Sequence, residues 1–320
     1  MVNMKIVTIG GGTGNSTILK GLKKITKDIV TIVTVADDGG GSGVLRKDMG
    51  ILPPGDIRAC LIALANAEPQ MKELMDYRFK EGGLKGQSFG NLFIAAMVDI
   101  YGDFDKAIKE ASNVLAITGK VLPMTLEDVT LYAQMSDGTT IKGESNIGNS
   151  TKDKDVSIER VYLKPDGPKP MEEAVDEILT ADIILIGPGS LYTSIMPNLL
   201  VKDIARALKE TKATVYYVCN LMTQYGETKD YSVSDHVKAI NSHMGYSVID
   251  KIIVNKEQIP DNALKRYKST PVYLRDEDRE FLKDYEIVEL ECFNDYKDKV
   301  RHDYNRIGKY LIEEYEKRDY

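Results

Sequence analysis

Three features of the chain predict an α/β fold: a three-layer, Rossmann-like and mostly parallel sheet with helices on both faces. Apolar, β-branched runs alternate with amphipathic stretches from the first residues onward, the pattern of βαβ units. Glycine-rich turns follow directly on several of these runs, at the carboxyl edge where open α/β sheets bind ligands. With 320 residues the chain can bury a large core without disulfide or metal staples, and the whole length reads as one elaborated unit.

Met4–Ile9 reads as the first strand, Asn15–Lys24 as a helix with Ile18, Leu19 and Leu22 on one side, and Ile29–Val35 as the second strand. The next region is mostly helical, over Asp56–Asn66, Gln70–Lys80, Asn91–Ile100 and Asp105–Ile117. Between Asp128 and Ser145 the period drops to two. Val129, Leu131 and Ala133 alternate with polar residues, Ser136-Asp137-Gly138 supplies a turn, and Thr139, Ile141 and Gly143 continue beyond it. This predicts a small antiparallel hairpin inserted as a lid over about residues 126–165, with the polar Asn146–Asp155 as a mobile loop. Alternation then resumes with helix Met171–Leu179, strand Asp182–Ile186, helix Val201–Lys209, strand Thr214–Val218, helix Ser232–Ser242 and strand Lys251–Val254. Short strands at Val272–Leu274 and Glu286–Leu290 and a helix from Val300 to about Tyr315 complete the series.

Charge and composition exclude several classes of function. The 42 basic and 49 acidic residues give a net charge of −7, opposite to the basic surface that counterion release from nucleic acid requires. No run approaches the roughly 18 apolar residues of a membrane span. The first residues lack the basic and apolar blocks of a secretory signal, so a cytoplasmic location is expected. Cys60, Cys219 and Cys292 are widely spaced and odd in number, which disfavours both a disulfide framework and a structural zinc site. They are expected to be buried free thiols.

Three loops carry the chemistry. Gly10-Gly11-Gly12-Thr13-Gly14-Asn15 lies between the first strand and the first helix, where backbone N–H groups and the helix dipole favour a phosphate. No lysine follows, so it is not a Walker A loop, and Asn15 stands where a dinucleotide fingerprint has its third glycine. Asp37-Asp38-Gly39-Gly40-Gly41-Ser42-Gly43 follows the second strand. Asp37 and Asp38 suit a ribose hydroxyl or a magnesium ion bridging phosphate oxygens, and equally the capping of a turn. Gly187-Pro188-Gly189-Ser190 follows a later strand, with Ser190 and Thr193 able to offer donors or to cap a helix. Pro53-Pro54-Gly55-Asp56-Ile57-Arg58 and Ser88-Phe89-Gly90-Asn91 precede helices as candidate pocket walls. His236 and His243 fit polar helix positions better than a metal site, and Ser190 lacks the GxSxG elbow of a nucleophile.

These motifs, together with TVADDGG at Thr34–Gly40, PMTLEDV at Pro123–Val129, GPGSLYTS at Gly187–Ser194 and YVCNLMTQYGET at Tyr217–Thr228, resemble the YvcK (GlmR) family of gluconeogenesis factors, relatives of the CofD-like transferases. The likeness runs from Met4 through Arg301-His302-Asp303, with one departure at Gly41, where the family pattern has serine. The resemblance implies a UDP-sugar ligand, UDP-N-acetylglucosamine first, and a role in cell shape and wall-precursor supply on gluconeogenic carbon. It implies nucleotide-phosphate contacts from Gly11, Gly12, Thr13 and Gly14 in the first loop and Gly189 and Ser190 in the third, with Asp37, Asn220 and Arg301 at the same edge; Asn15, Asp38 and Gly39, in and beside these loops, complete the candidate ligand-binding set. Arginine suits that place because its planar fork pairs phosphate oxygens in bidentate fashion.

Two classes of function follow. In the first, the chain is a UDP-sugar-responsive regulator without catalytic turnover that engages glucosamine-6-phosphate synthase. In the second, it is a nucleotide-dependent transferase that moves a phosphate-linked group with the help of magnesium, like the phospholactate transferases. A dinucleotide-dependent oxidoreductase ranks behind both, because the fingerprint breaks at Asn15. The sequence sets no oligomeric state, and a homodimer is among those it allows.

Overall fold

Ile6–Gly10 (β1) is wholly buried and lies near the middle of a parallel sheet, between Ile29–Val33 (β2) and Ile183–Ile186 (β7), which are buried throughout as well. Strands covered on both faces need continuous apolar runs rather than alternation, and IVTIG, IVTIV and IILI meet that need. The computed structural model describes residues 2–150, 156–296 and 299–317. Lys120–Pro123 (β3) closes one edge beyond β2, and Thr214–Val218 (β8), Lys251–Asn255 (β9) and Glu286–Leu290 (β10) extend the other. The order across the seven strands is β10-β9-β8-β7-β1-β2-β3, every neighbouring pair parallel.

Chain order therefore reverses direction between β1 and β7. Right-handed crossovers running outward in opposite directions place their helices on opposite faces. Helix α1 (Gly12–Leu22) and helix α3 (Gly55–Leu64) pack together on one face, with the final helix Tyr304–Glu316 also against α1. Helix Lys202–Glu210, in the β7–β8 crossover, takes the other face. The crevice where the order reverses is the place at which such sheets bind ligands.

Between β3 and β7 the chain builds an antiparallel sheet from Thr130–Met135 (β4), Thr140–Lys142 (β5) and Ile158–Lys164 (β6), in the order β5-β4-β6. Its alternation matches β4, where Leu131, Ala133 and Met135 are buried. The insertion is tied to the main body by the Ser145 N–H donating to Asp38 Oδ1 (2.9 Å) and the Val161 N–H donating to His243 Nε2 (3.0 Å). His243 Nδ1 lies 2.7 Å from the Ala239 carbonyl, which sets the neutral tautomer that leaves Nε2 as an acceptor.

Several elements differ from the sequence expectation, each for a tertiary reason. Helix α2 (Gly40–Met49) starts on glycines that disfavour helix by about 1 kcal/mol each, so local propensity argues against it. Arg46 anchors it by donating to the Val129 carbonyl (2.6 Å) and pairing with Asp128 (2.5 Å). The helical region also contains α4 (Pro69–Asp76), α5 (Phe89–Tyr101) and α6 (Phe104–Val114). Part of the expected Asn146–Asp155 loop is the helix α7 (Glu144–Ser150), whereas residues 151–155 lie outside the described residues. Val272–Leu274 forms no strand; only an isolated bridge, Met222 to Pro271, occurs beside it. The expected helix start at Val300 is instead a hairpin strand, Lys299–His302 (β12), paired with Phe293–Tyr296 (β11) before the helix begins at Tyr304.

Candidate functional site at the reversal of the sheet

The loop after β1 meets the loop after β7 at the crevice. Gly12 opens α1 at φ +63°, in the left-handed region that glycine adopts without strain. A Cβ on Gly14 would land on the Pro188 carbonyl oxygen, so the two loops touch through a bare backbone. Their shared edge lines a cleft of about 700 Å³, within the size range of small-molecule sites. Gly11, Gly12, Thr13, Gly14, Asp37, Gly189, Ser190, Asn220 and Arg301 all line it.

Other residues singled out in the sequence take different places. Asn15 is fully buried and its Nδ2 donates to Thr31 Oγ1 (2.9 Å), which also accepts from Thr8 Oγ1 (2.8 Å). Where a dinucleotide fold uses glycine to bring helix and strand together, this chain uses a side-chain hydrogen bond between α1 and β2. Asp38 turns away toward the insertion and accepts from the Ser145 N–H. Gly39 precedes α2 and donates its N–H to Asp37 Oδ1 (2.8 Å). Asp37 lines the cleft and Asp38 does not, and among the described residues no group of three His, Cys, Asp or Glu is arranged to hold a metal. Ser190 makes no capping bond with its side chain; its Oγ accepts from Gln224 Nε2 (2.6 Å). The Ile195 N–H reaches back five residues to the Ser190 carbonyl (2.9 Å), a π-type turn of the kind that recurs at functional sites.

Asn220 donates from Nδ2 to the Gly189 carbonyl (2.9 Å), leaving its buried Oδ1 without a protein partner among the described residues. Arg301 arrives from the distant β11–β12 hairpin. That hairpin is held by the Val300 N–H donating to Tyr267 Oη (2.7 Å) and by His302 Nε2 lying 3.0 Å from the Cys219 carbonyl. Burial pushes the His302 imidazole down to about 4, so it serves as a neutral donor at this contact. Two chain-distant anchors thus place one guanidinium at the cleft.

The remaining lining residues of charged type are acidic, namely Asp56, Glu144 and Glu227. Asp56 sits in the first turn of α3, recessed in the cleft and hydrogen-bonded by the Gly12 N–H; desolvation and then Asp37 push its carboxyl up to about 7. Glu144, on α7, is pushed up to about 8 by desolvation and by Asp37, Glu227, Asp56 and Asp38. Burial also raises Asp37. Glu227 is raised by burial too, although it accepts from Thr193 Oγ1 (2.8 Å) and the Tyr192 N–H (3.2 Å). The PPGDIR motif contains Asp56 and the YVCNLMTQYGET motif contains Glu227, whereas no local pattern marks Glu144. For a magnesium ion, Asp37 and Asp56 are the fitting oxygen donors, since both line the cleft and each raises the cost of ionising its neighbours.

A nucleophilic thiol is absent from this chemistry. All three cysteines are buried and free, and burial pushes the Cys219 and Cys292 thiols up to about 12 and Cys60 still higher.

The model of the family described as 2-phospho-L-lactate transferase CofD matches residues 6–292, a span that contains both glycine loops and the acidic lining. The chain belongs to the CofD family. Within it, the relatives are gluconeogenesis factors of the YvcK kind. A Thermoanaerobacterium thermosulfurigenes protein named "Putative gluconeogenesis factor" is 50% identical over 96% of this chain and 96% of its own. The gluconeogenesis factor of Bacillus subtilis is 46% identical over 97% of each chain. A crystal structure of a UPF0052-family protein from Bacillus halodurans superposes with a TM-score of 0.92 at 42% identity, covering 97% of this chain and all of that one. Among the described residues no helix is long and apolar enough to cross a membrane.

Proposed function

We propose that this CofD-family chain binds a nucleoside diphosphate sugar in the switch-point cleft, with UDP-N-acetylglucosamine as the leading ligand, and works as a ligand-responsive regulator in the cytoplasm. The observation that carries this reading is the convergence of two bare-backbone loops with a single arginine, Arg301, delivered by a hairpin from the far end of the chain. Backbone amides and the α1 terminus suit the phosphates, and a planar guanidinium suits their oxygens. Asn220 offers an unpartnered acceptor to a sugar or base hydrogen-bond donor. A magnesium ion held by Asp37 and Asp56 would offset the repulsion between a diphosphate and the acidic lining.

In this reading, cleft occupancy reports wall-precursor supply and adjusts a surface that engages glucosamine-6-phosphate synthase, the partner implied by the family resemblance, with consequences for cell shape on gluconeogenic carbon. Ligand and partner must then alter each other's affinity by the same factor. Calorimetry with UDP-N-acetylglucosamine, with and without magnesium, is expected to show saturable binding. A folded sample that gives no heat in either condition defeats the proposal.

A second reading, transfer of a phosphate-linked group from a nucleotide-activated donor, is favoured by the CofD match and by Asp37 and Asp56 beside the phosphate loops. Such chemistry needs positioning and charge neutralisation rather than a nucleophile on the protein. Incubation with candidate donors and hydroxyl acceptors, followed by mass spectrometry, separates the two: a transferred product establishes the enzyme, and unchanged donors leave the regulator.

A further inference from the structure

Beside the cleft lies a second groove of about 250 Å³, between α1 and the β11–β12 hairpin, and Thr13, Arg301 and His302 line both. Thr13, Thr17 and Lys20 recur at helical spacing and so share one face of α1, which meets Asn294, Lys299 and Arg301 across the groove. The pattern of charge here is opposite to that of the cleft. Among the described residues no carboxylate lines the groove, and Lys20, Lys299 and Arg301 form no ion pair there. His302, which also lines it, is neutral for the reason given above. Three cations thus face one hollow in a chain whose net charge is −7. Like charges gathered without a counter-charge repel, and an anion seated among them relieves that cost.

We propose that this groove is a second anion site, which takes the phosphoryl group of a small phosphorylated metabolite. Its volume falls below the roughly 300–1,000 Å³ of sites for whole drug-sized ligands, so it suits a phosphate on a small body rather than a complete nucleotide sugar. Thr13 and Asn294 add neutral donors at its sides. The groove stands on its own observations, whereas its coupling to the cleft rests on the nucleotide-sugar reading. An anion in the groove draws on Arg301 and repels a diphosphate beside it, so the two ligands weaken each other reciprocally.

The test uses inorganic phosphate as the probe, titrated at ionic strength held constant with chloride, against wild type and the double variant Lys20→Ala/Lys299→Ala. Both lysines are exposed and lie outside the cleft, so the variant is expected to keep the wild-type circular dichroism and UDP-N-acetylglucosamine affinity. Wild type should bind phosphate, detected by chemical-shift changes on α1 and β12, and the double variant should lose at least about tenfold in affinity. Phosphate should also weaken nucleotide-sugar binding in wild type and not in the variant. Equal phosphate affinity in the two proteins, or none in wild type, overturns the groove. Loss of phosphate binding in the variant with no nucleotide-sugar binding by either protein leaves the groove standing and removes the cleft reading alone.

Discussion

The glycine loops and the acidic lining belong to one cleft but are assembled in contrasting ways. Gly11, Gly12 and Gly14 belong to one short segment, and their contribution is backbone geometry that follows from the strand-to-helix turn itself. Asp37, Asp56, Glu144 and Glu227 come from four separated segments, and their contribution is electrostatic: burial raises all four carboxyls, and neighbouring carboxylates raise Asp56 and Glu144 further. A local motif can therefore announce where an anion binds, while the charge it must contend with emerges only on folding. Arg301 belongs with the second group by distance and with the first by purpose.

The strongest way to break this contrast is Gly14→Val. Its Cβ meets the Pro188 carbonyl, so it is expected to abolish nucleotide-sugar binding by calorimetry and to lower stability by about 1–3 kcal/mol, the usual cost of overpacking. A variant that binds normally shows that the contact between the two loops does not shape the site. Next in size, Arg301→Ala should weaken UDP-N-acetylglucosamine by about 1.5–3 kcal/mol, as for a lost charged hydrogen bond, with the melting temperature unchanged. Unaltered affinity takes Arg301 out of the cleft's binding role.

Glu144→Gln probes the acidic lining through pH. The folded carboxyl is held at about 8, against 4.5 for the free group, so the folded chain keeps a proton that the unfolded chain has released. Stability from this group is complete below about pH 4.5 and is lost as pH rises toward about 8. Melting temperatures measured from pH 5 to 8 should fall less steeply in the variant than in wild type, with the variant ahead at pH 8. Matching slopes mean that Glu144 does not sit in the shared field of the other carboxylates.

The smallest effect is expected from Asp38→Ala, which removes the acceptor for the Ser145 N–H at the start of α7. By analogy with a lost helix cap it should cost about 0.5–2 kcal/mol. Hydrogen exchange should quicken over residues 143–150 more than over β1 or β7. Uniform exchange in that segment and the sheet argues that Asp38 does not latch the insertion.

Much of the scaffold was legible because it rests on local signals. Thr214–Val218 and Glu286–Leu290 appear with the boundaries expected of them, since β-branched and other apolar residues bounded by polar turns mark both. Helices α2 and α7 and strand β12 were not legible. Glycines opposed the first, a short polar stretch concealed the second, and Val300 falls in helical register with Ile307 and Leu311 while its backbone pairs across the hairpin to Asp295. Of the site, the motif loops were visible together with Asp37, Asn220 and Arg301 as candidates. The inward turn of Asn15 and the bond from Asp38 to the insertion were not, because the direction of a side chain depends on which neighbour offers a partner.

By itself the sequence determined the α/β class, the strand-to-helix glycine turns and an acidic balance incompatible with a broad nucleic-acid surface, because hydrophobic period, backbone freedom and net charge are properties of short segments or of simple sums. Tertiary structure alone decided that β1 and β7 adjoin, that four distant carboxylates share a cleft, and that Lys20, Lys299 and Arg301 face one groove. Those relations depend on electrostatic and packing distances between segments far apart in the chain, and such distances exist only once the chain has closed.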